Sequence, residues 1–215
     1  MAIQIQGNSG TILEVEANTR ALRVVHRPDD YGSLGIYNKA MTSGTMAAGL
    51  AVAANIYQFR WSNATNLCII RKIRISAGNA GTGFTAGAGI FNLFPARSFT
   101  ANGSGGTAGT LTGNNGKLRT SMGTMLVGDV RISSTAALTA GTWTLDTDPI
   151  AAVTTGVQAT AGVQILPPTD LFYHADNEMP FVLAQNEGFT IQATVPATGT
   201  WTFSVQTEWE ELASF

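Results

Sequence analysis

The chain has 215 residues and a formal net charge of −2, and only 12% of its residues are charged, about half of the ~25% usual in globular domains. A sequence pI near 5.6 and the lack of a basic run exclude the electrostatic footprint of a nucleic-acid-binding protein. An apolar fraction of 44% excludes a disordered chain, and a single cysteine, Cys68, excludes a disulfide framework.

The sparse charge has a functional implication. Thr, Ala and Gly supply more than a third of the residues, whereas Lys occurs three times. A surface of this composition can approach another protein without removing water from many charges, which predicts assembly with other chains. The alternative interpretation is that β-rich chains simply use more Thr. Both interpretations predict β structure, but only the first predicts assembly.

The first 45 residues are typical of an extended arm. The pieces IQIQ and TILEVEA have strand-like patterns, but breaks rich in Gly, Asn and Asp separate them, so they cannot form a core alone. We therefore predict an N-terminal arm with the first strands over residues 1–45 and a β-sandwich domain over residues 46–215. The arm is expected to pack against another chain through Ile3, Ile5, Ile12, Leu13 and Val15.

Two segments near the N-terminus bear on localisation. The opening MAIQIQGNSG has neither a basic region nor an apolar one, so we expect no secretory signal. Residues 41–59 carry no charge, but they contain Thr, Ser, Asn and Gln, and most of the rest is Ala and Gly. A spanning helix needs about 20 strongly apolar residues, so we predict no membrane association.

Short strand candidates follow one another along the rest of the chain, bounded by Gly, Asn or Pro clusters. No stretch shows a convincing helical period. The chain is therefore predicted to be all-β, a single antiparallel sandwich or jelly roll. The candidate strands, in chain order, lie at residues 22–27, 56–61, 67–75, 84–94, 130–133, 142–145, 171–173 and 181–183.

The clearest β signal lies at residues 189–209, where apolar and polar residues alternate on both sides of a turn at residues 196–199. A period of two over adjacent runs predicts an antiparallel hairpin. The inward residues are expected to be Phe189, Ile191, Val195, Trp201, Phe203 and Val205. The outward residues are expected to be Thr190, Gln192, Thr202, Ser204 and Gln206.

The Gly-rich residues 101–116 predict a long exposed loop rather than a phosphate site. A P-loop needs Gly-Lys followed by Ser or Thr, and a first Gly five residues before the second. Here Leu118 follows Gly116-Lys117, and Leu111 stands at the position of the first Gly. We expect no nucleotide cofactor.

Titratable side chains show little organisation that would support catalysis. His174, Asp176 and Glu178 form the sole clustered set of metal-ligand types, but their spacing matches neither a calcium loop nor a zinc site, so a metal there stays an open alternative. Cys68 lies between apolar residues and predicts a buried thiol. Of Glu208, Glu210 and Glu211 at the terminal strand, two share its outer face, which predicts a solvated face, and Asp146 and Asp148 predict a polar turn. No nucleophile elbow exists, so we predict that the protein is not an enzyme.

Seven phrases of the sequence carry a resemblance to a known family: MAIQIQGNSGT, ALRVVHRP, SGTMAAGLA with IYQFRW, FTAGAGIFNLFPARSFT, LTGNNGKLRTSMGT, RISSTAALTAGTWTLD and VLAQNEGFTIQATVPATGTWTF. Together they cover nearly the whole chain. In these stretches the protein resembles the minor virion structural proteins of tailed bacteriophages.

The resemblance implies a capsid decoration (cement) protein, a trimeric jelly roll on the outer surface of the virion. Its partners would be the major capsid protein and further copies of itself, after synthesis in the bacterial host cytoplasm. The alternative is a tail spike, fibre or baseplate module that binds a receptor or a carbohydrate. The resemblance carries over no catalytic residue and no cofactor.

Overall fold

The computed structural model describes residues 34–48, 50, 52–175 and 178–213. These residues form β-strands and no helix, and every strand pair is antiparallel. The strands are β1 Gly35–Thr42, β2 Met46–Ala47, β3 Ala54–Trp61, β4 Leu67–Asn79, β5 Gly87–Ala101, β6 Thr107–Ala108, β7 Asp129–Ile132, β8 Thr142–Leu145, β9 Ala151–Val157, β10 Gln164–Tyr173, β11 Phe181–Leu183, β12 Glu187–Thr194 and β13 Thr200–Leu212.

The strands form two sheets. The first sheet has the order β1-β13-β4-β10, with β2 on β13 and β11 on β4. The second sheet has the order β6-β7-β3-β12-β5-β8, with β9 on β5. Both sheets turn apolar side chains toward a shared core, which confirms the predicted all-β sandwich.

The connections make this sandwich a jelly roll. Its eight principal strands are β1, β13, β4 and β10 in one sheet and β3, β12, β5 and β9 in the other. Successive principal strands cross between the sheets, except that β5 and β9 share the second sheet. Two interleaved Greek keys with this strand order define the fold.

Aromatic rings fill the space between the sheets. Phe59 of the second sheet lies 5.3 Å, centroid to centroid, from Trp209 of the first, and 5.2 Å from its own neighbour Phe189. The hydroxyl of Tyr57 forms a 2.9 Å hydrogen bond with the Thr207 hydroxyl across the core. The hydroxyl groups of Tyr57 and Thr207 therefore have partners inside the core, beside the packed rings.

The predicted C-terminal hairpin is wrong in its pairing and right in its buried face. β12 pairs with β3 and β5, whereas β13 pairs with β1 and β4, so the turn at residues 196–199 carries the chain from one sheet to the other. All six residues predicted to point inward are buried. The alternating pattern reports which side of a strand meets the core, and both sheets of a sandwich present the same pattern.

Several candidate strands correspond to observed ones, whereas β1, β2, β6 and β9 match no candidate strand. β3, β4, β7, β8 and β11 lie at or within one or a few residues of their predicted positions, whereas the candidate strand at residues 22–27 lies outside the described residues. β9 has the sequence AAVTTGV, in which Ala and Thr give no apolar alternation. Its strand conformation follows from continuous pairing with residues 87–93 of β5.

The described part of the uncharged stretch at residues 41–59 contains the end of β1, all of β2 and most of β3, with short connections between them. No helix with the length and apolarity needed to cross a membrane occurs in the described residues.

The Gly-rich loop belongs to a longer segment, residues 102–128, which we call the strap. Most of its first half is exposed, as predicted. It adds β6 to the edge of the second sheet and then crosses to the first sheet, where Gly116 O accepts a 2.8 Å hydrogen bond from Asn38 N of β1. Gly106 (φ 58°) permits this path, because a Cβ there would lie 2.1 Å from Ile132 O.

We expect Trp201→Ala to lower the free energy of unfolding by about 3–5 kcal/mol, because the fully buried indole packs on Phe84, Phe91 and Phe203. Thr202→Ala, on the opposite face of the same strand, should change it by less than about 1 kcal/mol. Chemical unfolding of both variants beside the parent measures the difference. Equal losses would contradict the assignment of faces.

Candidate functional site

The sequence-predicted sites fall in different parts of the structure. Ile3, Ile5, Ile12, Leu13 and Val15 lie outside the described residues, so the structure leaves that prediction open. Cys68 is buried, as predicted, and burial raises the pKa of its thiol well above the ordinary value. Such a thiol is inert.

The metal candidate at the end of β10 is partly described. His174 is buried, and its backbone N donates to Arg71 O at 2.8 Å. Glu178 accepts a weak hydrogen bond from Ala175 N. Asp176 lies outside the described residues, and among those described no three His, Cys, Asp or Glu side chains group closely enough to hold a metal ion.

The prediction of a solvated carboxylate face at the end of β13 is wrong at Glu210, one of the two residues assigned to that face. Glu210 is 1% exposed and Glu211 is fully buried. Glu210 pairs with Arg71, whose Nη1 lies 3.6 Å from its Oε2. Glu211 has the same parity as Trp209 on the inward side of the strand, and it lies under Leu126 of the strap, 85 residues earlier in the chain.

Glu211 joins the strap to the core. Its Oε1 accepts hydrogen bonds from Leu126 N at 2.9 Å and from the Trp209 indole Nε1 at 3.1 Å. Burial raises the pKa of the Glu211 carboxyl to about 6, although the bonds from Trp209 and Leu126 act in the opposite direction. The same carboxylate raises the pKa values of Tyr37 and Cys68, in both cases after the larger effect of burial.

The outer face of the second sheet is covered and polar. Gln58 donates to Asp129 Oδ2 at 2.6 Å and accepts from Gly103 N of the strap at 3.1 Å. Thr190, which was predicted to point outward, is fully buried on this face and donates to Tyr57 O at 2.9 Å. The network is hydrogen-bonded within the chain, which is typical of a structural contact.

The outer face of the first sheet is different, because small uncharged side chains dominate it. In register across three strands it presents Thr42, Ser204 and Ser76, with Thr202 beside Gly78 in the next row. The Thr42 and Ser204 hydroxyls are 2.9 Å apart. We call this group the hydroxyl face; a shallow cleft of about 320 Å³ lies along it, walled by residues 162–164.

Charged groups gather at one end of the hydroxyl face. Arg74 Nε donates to Asp170 Oδ1 at 2.7 Å, and Lys72 Nζ lies 3.6 Å from the other oxygen of the same carboxylate. The hydrogen bond from Arg74 holds the pKa of Asp170 below its usual value. Lys72 also lies 5.4 Å from the ring centroid of Tyr173, which is 60% exposed. These exposed pairs contribute little stability.

A second cleft, of about 430 Å³, lies at the opposite sheet, and we call it the arginine cleft. Arg97 projects there between two carboxylates, donating to Glu187 Oε1 at 2.9 Å and to Asp146 through Nε and Nη2 at 3.3 and 3.2 Å. The hydrogen bond that Arg97 donates to Asp146 is the main reason that the pKa of Arg97 is raised. Asp146, which was predicted to lie in a polar turn, is thus an ion-pair partner.

The walls of the arginine cleft have an uncommon backbone. Ser98 (φ 51°) and Asn186 (φ 60°) both adopt the left-handed conformation, and Phe99 N donates to Asn186 O between them at 2.7 Å. β5 bulges here, since its register with β8 shifts between Arg97 and Ala101. The sequence showed Arg97, Asp146 and Glu187 only as isolated charges separated by 49 and 41 residues, so no local signal could have grouped them.

Three comparisons with known proteins returned nothing: no protein-family model matches the chain, no curated protein does, and no solved structure does.

We expect Glu211→Gln to remove a pH dependence of stability between about pH 4.5 and 6. Because folding raises the pKa of Glu211 from 4.5 to about 6, the carboxyl stabilises the fold most below pH 4.5, and this contribution is lost as the pH rises through 6. As the pH rises from 4.5 to 7.5, the free energy of unfolding of the variant should increase, relative to that of the parent, by up to about 2 kcal/mol. Chemical unfolding at both pH values measures it.

The matched control for this experiment is Glu208→Gln, a half-exposed carboxylate on the outer side of the same strand. It should leave the pH dependence nearly unchanged. If Glu211→Gln and Glu208→Gln change the pH dependence of the free energy of unfolding equally, the buried carboxylate of Glu211 is not its source.

Proposed function

We propose that this protein is a structural component of a bacteriophage particle, a decoration protein that bridges neighbouring subunits on the outer surface of the capsid. Its role is mechanical rather than catalytic. The major capsid protein is its partner, and it is made in the cytoplasm of the bacterial host. The resemblance of its sequence phrases to minor virion proteins motivates the proposal, and the hydroxyl face is the observation of the structure that supports it best.

The hydroxyl face suits contact with another protein. Thr42, Ser76, Thr202 and Ser204 are short, so few rotamers are lost when the face is covered. Their hydroxyl groups both donate and accept hydrogen bonds, and no charge has to be desolvated in the central rows. The charged pairs around Asp170 and the exposed ring of Tyr173 then form a polar rim, where Tyr and Arg are common contact residues.

The proposal includes self-association as a closed homotrimer. A trimer multiplies weak contacts, because three hydroxyl faces held together bind a symmetric capsid site with an avidity that one copy lacks. Multi-angle light scattering of the isolated protein at micromolar concentration gives the number of copies. A monomer under these conditions would contradict the trimer.

Copy number in purified particles tests the location. A decoration protein should be present in hundreds of copies, in a fixed ratio to the major capsid protein, whereas a tail or neck component should be present in a few to a few dozen. Quantitative mass spectrometry with isotope-labelled standard peptides measures the ratio, and absence from the particle would refute the structural role.

We expect Ser204→Arg to reduce incorporation into particles at least tenfold while leaving the melting temperature within a few degrees of the parent. The substitution places a long charged side chain in the centre of the hydroxyl face without touching the core. Thr144→Arg, an exposed position on β8, is the matched control and should incorporate normally. Normal incorporation of Ser204→Arg would remove the hydroxyl face from the proposal.

The arginine cleft favours a second candidate function, a tail module that binds a carbohydrate. Arg97 is fixed by Asp146 and Glu187, so the planar guanidinium and carboxylate groups that hydrogen-bond to sugar hydroxyls are already in place. Backbone strain at Ser98 and Asn186 lies beside them, as it often does at binding sites.

If this second function is correct, Arg97→Ala should lower the affinity for host surface polysaccharide at least tenfold, because the guanidinium orients both carboxylates. Arg74→Ala, which removes an exposed ion pair on the other sheet, should leave affinity unchanged. Glycan-array binding followed by calorimetry measures both. Equal affinity of both variants and the parent, or no glycan binding at all, would contradict the carbohydrate role.

A further inference from the structure

Most edges of the two sheets are protected against pairing with another strand, in the part of the chain that the structure describes. The edge of β1 is covered by the strap: Gly116 O accepts a hydrogen bond from Asn38 N, and Thr110 O accepts one from Lys39 Nζ. β10 has three register shifts and contains Pro167 and Pro168. β6 and β11 have two and three residues, and the four residues of β8 pair irregularly. Bulges, prolines and short length are the usual ways in which proteins prevent edge pairing.

β9 has none of these protections. Its seven residues, Ala151–Val157, pair with β5 without a register shift and contain no Pro and no charge. Among the described residues, its side away from β5 forms no further backbone ladder, although the Thr155 hydroxyl donates to Ile165 O at the corner of the sandwich. β9 approaches β10 at that corner, and the outer edge of its preceding residues, 151–154, offers backbone N–H and C=O groups to an added strand.

The side chains of β9 define what such a strand must look like. Ala151, Val153 and Thr155 are half-buried beside the core, whereas Ala152, Thr154 and Gly156 are exposed. A partner strand gains most if apolar residues on one of its faces extend the core beside Val153. The other face of the partner strand lies beside the exposed Ala, Thr and Gly residues of β9, so charged side chains on it meet no like charge.

Residues 11–17, TILEVEA, match these requirements in their sequence. They have the same length as β9, and Leu13 and Val15 share one parity whereas Glu14 and Glu16 share the other. The β10 edge is less suitable for an added strand, because three register shifts and Pro167 and Pro168 interrupt it. Residues 18–33, which precede the first described residue, can span about 50 Å when extended, which is enough to reach a neighbouring molecule.

We propose that the outer edge of β9 accepts residues 11–17 of a second copy of this chain as an added strand. Leu13 and Val15 then cover Val153, and Glu14 and Glu16 face solvent beside Thr154. Each copy gives one segment and accepts another, which is a heterologous contact that can close into a ring. This inference rests on the proposed function in one respect: both require copies to associate.

Zero-length cross-linking of the full-length chain tests the contact. The substitution Thr154→Lys puts an amine on the exposed face of β9, beside the expected position of Glu14 and Glu16. A carbodiimide joins amines and carboxylates that touch, and the three native lysines keep the background low. A 1:1 mixture of ¹⁴N- and ¹⁵N-labelled protein separates links between copies from links within one copy in the mass spectrum.

We expect mixed-isotope links between position 154 and Glu14 or Glu16, reduced at least tenfold when Leu13→Asp is added. Thr144→Lys on β8 is the matched control and should give no link to the arm. Links confined to one copy, equal links at positions 144 and 154, or no links at all would each overturn the inference. Copy number in particles is measured separately, so failure of the decoration role and failure of this contact are distinguishable.

Discussion

The rest of the domain depends on the contacts that the indole of Trp209 makes. It stacks on Tyr37 of the adjacent strand at 5.6 Å, meets Phe59 of the opposite sheet edge-on at 5.3 Å, and donates its N–H to Glu211. One side chain therefore joins neighbouring strands, the two sheets and, through Glu211, the strap. Its burial brings a carboxylate into the interior, which is tolerated because two donors face the same oxygen.

The strap makes the two outer faces of the sandwich unequal. It covers the second sheet and uses the polar side chains there for internal hydrogen bonds such as that between Gln58 and Gly103. The first sheet keeps its hydroxyl face and the charged group at Asp170 open to solvent. An open face of small hydroxyl side chains and a face covered by the strap thus lie on opposite sides of one core.

Sequence periodicity predicted the all-β class and the buried face of β12 and β13, because burial imposes a period of two on each strand by itself. It could not predict which strands pair, since Phe189 and Trp201 carry the same pattern in different sheets. β9 was not predicted, because its strand conformation comes from pairing with β5 and not from an alternation of apolar residues. The hydrogen bond between Glu211 and Leu126 of the strap and the grouping of Arg97 with Asp146 join residues far apart in sequence, which local patterns do not encode.

The pairing of the first described strand with the last one determines how the domain responds to a pulling force. Gly35 lies opposite Glu211, and Thr42 lies opposite Ser204, so the start of β1 and the end of β13 lie side by side. Tension applied to both ends would load the hydrogen bonds one pair at a time and peel β1 away, because these bonds run perpendicular to the strands. Force that enters through a sheet face or along β4 and β13 is instead shared by a ladder that extends from residue 201 to residue 212. This architecture resists load through its surfaces far better than through its ends.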